Sequence, residues 1–202
     1  MPEEATPRVL APTLVEYLAA RLVLGRVPVH YAGIGLRRWP GAPEGTPVVV
    51  CGLAGALVDD LPSGCVLIPE QDGLPDGSRR ACDPDLVAAL SAAARSLGYD
   101  VRGGALVTVP QLATGAQRAR LAAGGFAAAD METALLPGNL RVATVRVILD
   151  TLHRPLSARW ASPTAALHPD LWPDLPWLAG HAPAYAHRAA RVVREGLQRL
   201  VL

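Results

Sequence analysis

Between residues 8 and 150 the chain alternates short apolar, β-branched runs with Ala/Leu-rich stretches whose apolar positions recur at helical spacing. That alternation predicts a layered α/β domain, because each sheet face must be covered by an amphipathic helix. Residues 8–11 read as a first strand. Thr13 is placed to cap the helix that follows, Glu16 three positions later completes a capping box, and Gly25 ends the helix near Leu24. Residues 27–31 read as a second strand closed by Gly33, Ile34 and Gly35, and residues 40–47 as a Pro/Gly connector. The run Val48, Val49, Val50, Cys51 has no polar alternation, as expected of a central strand covered on both faces. Further strands are expected at 65–69, 105–109 and 142–149, and helices at 84–97, 111–123 and 184–202. Segments 71–84 and 151–176 read as loop. The final helix turns Ala189, Val192, Val193, Gly196, Leu197 and Leu200 toward the core. The expected fold is one α/β domain over residues 1–202, a central mixed twisted sheet flanked by helices.

Composition narrows the chemistry. Half of the 202 residues are hydrophobic but only 4% are aromatic, so the core is built from Ala, Val and Leu. The net charge of +1 offers no field to draw in nucleic acid or an anionic membrane. Every basic side chain except histidine is Arg, which excludes Schiff-base and P-loop lysine mechanisms. The three cysteines, Cys51, Cys65 and Cys82, lack CxxC spacing and read as reduced thiols. No apolar run is long enough to span a membrane, and the acidic start MPEEATPR lacks the features of a signal peptide, so a cytoplasmic protein is expected. His153, His168, His181 and His187 are scattered without ligand spacing, so no metal site is expected.

Four segments, in order, resemble the nucleoside phosphorylase/nucleosidase superfamily. They are Gly33-Ile34-Gly35 after a strand; VVVCGLAGAL at 48–57 followed by PSGCVLI at 62–68; ADMETA at 129–134; and VRVILD at 145–150. The part beyond Asp150 looks like the hopanoid-associated phosphorylase branch. The resemblance implies a phosphorylase/hydrolase-like fold and cleavage of the bond between a purine-type base, adenine among them, and ribose. It implies a homo-oligomer, a dimer or a trimer of dimers, and no cofactor, with phosphate as co-substrate only in a phosphorylase.

The chemistry gives these residue types a reason. Breaking a ribosidic C–N bond builds positive charge on the sugar and negative charge on the base. Asp150, at the end of an apolar strand where α/β sheets collect ligands, is placed to protonate the purine N7 if burial keeps its proton. The plainer alternative is that it caps the next loop. Glu132 falls where relatives hold the ribose 2′- and 3′-hydroxyls, with Met131 as an apolar wall; without its neighbours it would read as an exposed helix glutamate. Gly52, Leu53, Ala54 and Gly55 read as a tight turn after the central strand that lets backbone approach the ligand, and Gly35 as a second such contact. Glu16 matches the glutamate that orients and deprotonates the attacking water in nucleosidases. Its capping role competes with that one, because a carboxylate tied to its own helix terminus is expected to point away from a pocket.

Two departures bear on the nucleophile. Val50 and Leu53 stand where one phosphorylase branch carries arginine and serine, so that wall offers no phosphate ligand, and hydrolysis is favoured over phosphorolysis. Arg37 and Arg38 remain possible phosphate ligands from another loop. Leu149 replaces a serine that orients the aspartate in many relatives, which leaves a slow enzyme or an unusual substrate as alternatives; the compressed 71–84 segment would suit a bulky nucleoside or a nucleoside-binding protein without turnover. Trp160, Trp172 and Trp177 read as anchors of the proline-rich tail, a dimer surface or a lid.

Overall fold

The computed structural model describes residues 6–161 and 164–200; the start of the N-terminal acidic segment and the last two positions of the expected final helix lie outside the described residues. The chain forms a ten-stranded mixed sheet. Its elements are β1 (Arg8–Ala11), α1 (Leu14–Leu24), β2 (Val29–Tyr31), β3 (Pro47–Ala56), β4 (Val66–Leu67), β5 (Gln71–Gly73), β6 (Arg79–Ala81), α2 (Pro84–Ser96), β7 (Val101–Arg102), β8 (Ala105–Thr108), α3 (Gly115–Ala123), β9 (Ala128–Asp130), β10 (Arg141–Asp150) and α4 (Leu175–Leu200). One core packs Val49, Val145 and Val147 of the sheet against Leu86 and Leu90 of α2 and Val192 and Val193 of α4. Leu200, expected inside, is 37% exposed, and the buried face of α4 ends at Leu197. No described helix is long and apolar enough to cross a membrane.

Strand β3 organises the molecule. Along one edge it pairs in parallel with β10 from Pro47 to Gly55. Along the other edge it changes partner: Val48 to Val50 pair in parallel with β1, whereas Gly55 and Ala56 pair antiparallel with β9. The sheet therefore forks, with β1 and β2 on one branch and β9, β8, β5 and β6 on the other. At the fork the backbone of Gly52 and Leu53 has no strand along this second edge, and a buried N–H there must find another acceptor. That acceptor is Glu16, whose Oε1 takes the Leu53 N–H at 2.7 Å.

Several boundaries differ from the sequence reading, each for a physical reason. Residues 52–55 are not a turn but the continuation of β3, since non-local pairing with β9 and β10 outweighs the low strand propensity of Gly and Ala. Segment 71–84 contains the hairpin of β5 and β6, closed through Asp76 and Gly77, with Gly77 at a φ of 91°. Helix α4 starts at Leu175 rather than Ala184. Pro176 sits in its first turn, where a missing N–H costs nothing, and Pro183 is carried inside the helix. Three short 3-10 turns, at Ala158–Ala161, Ala165–Leu167 and Pro169–Asp174, fill much of the stretch read as loop.

Candidate active site

The branches of the fork enclose a cavity of about 450 Å³. Its polar wall is made by Glu16, Arg118, Asp130, Glu132 and Asp150. Met131, Leu53, Ala54 and Gly55 complete the inner face, and Leu156, Trp160, Leu175 and Leu178 from the C-terminal segment make an apolar side. Seven of the nine expected site residues therefore line it. Gly35 and Gly52 do not: each acts from behind. Gly35, at a φ of 65°, donates its N–H to Glu132 Oε1 at 3.3 Å instead of to a ligand. Gly52 provides empty space, since a Cβ there would overlap the Glu16 carboxylate and lie 2.9 Å from Arg146 Nη1.

Glu16 shows that its two expected roles are compatible. The capping box forms, with the Thr13 N–H donating to Oε2 at 2.7 Å and the Glu16 N–H donating to Thr13 Oγ1 at 3.4 Å. The first turn of α1 itself borders the cavity, however, so a carboxylate bound there still faces the site. With one donor on each oxygen, Glu16 retains acceptor capacity for a water molecule.

Asp150 is 2% exposed and faces the cavity beside Gly55, not the solvent. A bulge places it: β10 and β3 run in register to Ile148 opposite Ala54, Leu149 is passed over, and Asp150 stands opposite Gly55. The bulge is pinned by the Gly64 N–H on Ile148 O at 2.8 Å and by the Ser63 hydroxyl on Leu149 O at 3.1 Å. A hydroxyl from the neighbouring turn thus supports this strand end, where Leu149 itself has none. A Cβ on residue 55 would come within 2.7 Å of Asp150 Oδ1. Oδ2 accepts from Arg118 Nη2.

Glu132 lies between β9 and the 3-10 turn Thr133–Leu135 rather than on a helix face, and it is 4% exposed. Burial, aided by Asp130 and Glu16 and opposed by Arg146, pushes its carboxyl up to about 8. In the unfolded chain the same group titrates near 4.5. The folded protein therefore holds a proton that the unfolded chain releases. The stabilisation from Glu132 is complete below about pH 4.5 and is lost as pH rises through about 8. Melting curves from pH 5 to 9 are expected to show Glu132→Gln gaining on the wild type as pH rises; a difference constant with pH contradicts this assignment.

Three site residues, Asp130, Arg146 and Arg118, escaped the sequence reading. Arg146 was visible: an arginine inside the β-branched run of β10 is a charge that burial forces into partnership. Fully buried, it donates from Nη2 to Asp130 at 2.5 Å, to Glu132 at 3.3 Å and to Thr133 Oγ1 at 3.2 Å, and from Nη1 to Leu53 O at 3.3 Å. Asp130 also accepts from Thr108 Oγ1 at 2.5 Å and from the Thr133 N–H at 3.1 Å, which fixes the turn carrying Met131 and Glu132. Arg118, one of many arginines on helices, carried no sequence signal. Of the other groups weighed, Arg38 lies over the Tyr31 ring at 4.9 Å, outside the cavity lining, as does Arg37. His181 stacks on Trp177. Cys51, Cys65 and Cys82 are free and buried.

Because Gly52 holds open the space shared by Glu16 and Arg146, Gly52→Ala is expected to cost about 1–3 kcal/mol, the usual penalty of overpacking. It should also displace Glu16, so activity falls more than stability does. Denaturant titration alongside initial rates checks this, and a fully active variant contradicts it.

No curated protein sequence matches the chain. Solved structures share its fold. The S-adenosylhomocysteine nucleosidase of Streptococcus pyogenes is 14% identical, with a TM-score of 0.72 and 99% of each chain covered. The 5′-methylthioadenosine/S-adenosylhomocysteine nucleosidase of Neisseria meningitidis is 18% identical at a TM-score of 0.70, covering 96% of this chain and 98% of that one. The futalosine hydrolase of Helicobacter pylori is 14% identical at a TM-score of 0.70, covering 97% and 98%. The sequence model of the phosphorylase superfamily matches residues 46–157, more than half of the chain and the stretch that runs from β3 through β10. By that match the chain belongs to the phosphorylase superfamily.

Proposed function

We propose that this protein is a nucleosidase that hydrolyses the N-glycosidic bond of a purine-type nucleoside. The observation that carries the reading is the meeting of Glu16, Glu132 and Asp150, from three distant segments, on one cavity of about 450 Å³, within the usual size range of small-molecule sites. In this reading Asp150 gives its proton to N7 of the departing base, and the electron pair of the C–N bond leaves with that base. Glu132 hydrogen-bonds the ribose hydroxyls and fixes the sugar beside the breaking bond. Glu16 orients a water molecule toward C1′ and takes its proton. Met131 packs against the sugar.

Water is favoured over phosphate by the pairing of the cations at the wall. Arg118 already binds Asp150, and Arg146, behind the lining, already binds Asp130 and Glu132. A phosphate dianion entering there finds no unpaired cation among the described lining residues and meets the Glu16 carboxylate. The apolar side made by Leu156, Trp160, Leu175 and Leu178 supports a bulky apolar group on the 5′ carbon of the substrate, in keeping with the hopanoid-associated likeness of the C-terminal segment. A panel of nucleosides in phosphate-free buffer, with base release followed by chromatography, tests the reading. Release without phosphate is expected; release that requires added phosphate overturns hydrolysis, and no release overturns the enzyme.

A further inference from the structure

Arg118 is buried in the cavity wall, and bond cleavage as set out above gives it no task. Its position is fixed at three points: Nε donates to Ala113 O at 2.7 Å, Nη1 to Ala56 O at 3.1 Å, and Nη2 to Asp150 Oδ2. Two backbone carbonyls anchor the plane of the guanidinium, so it does not swing with the ligand. A guanidinium carries five N–H donors and keeps its charge at all working pH values. These contacts leave one donor on each terminal nitrogen. Asp150 Oδ1, meanwhile, faces Gly55, whose missing Cβ leaves room beside it. A flat heterocycle laid against Asp150 therefore has a carboxyl group and a fixed cationic donor side by side along one edge.

Purines differ along that edge. A 6-oxopurine presents two neighbouring acceptors, N7 and O6, whereas a 6-aminopurine presents N7 beside an N–H donor. We propose that Arg118 reads the substituent at C6 of the leaving base, so that the enzyme prefers 6-oxopurine nucleosides. Asp150 serves N7 while Arg118 donates to O6. As the C–N bond breaks, the electron pair drawn into the base is met by the proton at N7 and by the Arg118 donor at O6, so the base leaves neutral and the carboxylate left on Asp150 keeps Arg118 as its partner. With a 6-aminopurine, donor faces donor and one of the two stays unsatisfied. This inference rests on the nucleosidase reading and extends it from the base class to the base edge.

The test compares kcat/KM for matched pairs, inosine against adenosine and 5′-methylthioinosine against 5′-methylthioadenosine, in phosphate-free buffer. The wild type is expected to favour the 6-oxo member by about tenfold or more, and Arg118→Met to reduce that ratio by a similar factor. Equal rates or a 6-amino preference in the wild type overturn the proposal, as does a variant that slows both members of a pair alike. Binding of free hypoxanthine and adenine to the wild type gives a second readout that needs neither a folded variant nor turnover. Tighter hypoxanthine binding supports the role of Arg118, and equal or tighter adenine binding overturns it. A chain that cleaves no nucleoside but binds hypoxanthine in preference to adenine fails as an enzyme while the edge assignment stands.

Discussion

Asp150→Asn lowers the rate of base release by about 10²–10⁴-fold, the usual contribution of a positioned proton donor, and leaves nucleoside binding in place. The amide is nearly isosteric, so the bulge at Leu149 and the pinning by Ser63 and Gly64 are retained. Its oxygen still accepts from Arg118, which keeps the buried guanidinium satisfied. What the amide lacks is a proton that can pass to the leaving base. Single-turnover rates with binding measured separately distinguish lost chemistry from lost affinity. A variant that keeps its rate within a few-fold removes Asp150 from the acid role and returns it to a loop-capping one.

Arg146→Met is expected to destabilise the protein by about 3–5 kcal/mol, the scale on which removing one partner exposes a buried charge cluster. Arg146 is fully buried, and its Nη2 alone reaches Asp130, Glu132 and Thr133. Methionine fills much of the volume but leaves those carboxylates facing one another with no cation. Arg146 Nε has no hydrogen-bond partner among the described residues, so the native arrangement already carries a desolvation cost that only the carboxylates offset. Part of the loss should be recovered in acid, where Glu132 takes up a proton. Urea midpoints at pH 5 and pH 8 check both statements. A midpoint unchanged at pH 8 contradicts the view that this cation holds the acidic cluster together.

What could be read from the sequence divides along physical lines. Features set by neighbours in the chain were legible: β1, the capping box at Thr13 and Glu16, and the start of α2 at Pro84 all matched. Features set by distant pairing were not. β9 is three residues of Ala, Ala and Asp with no pattern of its own, and it exists because β8 and β3 flank it. The same pairing draws residues 52–55 into a strand. Glu16, Glu132 and Asp150 were found because their motifs mark them, but their partners lie far away in sequence. Arg118 reaches Asp150 across 32 positions. The argument that capping would take Glu16 from the pocket failed for a geometric reason. It assumed that the helix start and the pocket were separate places, whereas the change of partner on β3 brings them together.

The amide of Leu53, and not its side chain, completes the environment of Glu16. Every amino acid except proline supplies that N–H, so the hydrogen bond that frames Glu16 does not depend on which side chain stands at position 53. The side chain there borders the cavity and packs partly against the core. A lineage could exchange leucine for a hydroxyl residue, and with it alter what attacks the sugar, without dismantling the machinery that holds the sugar in place.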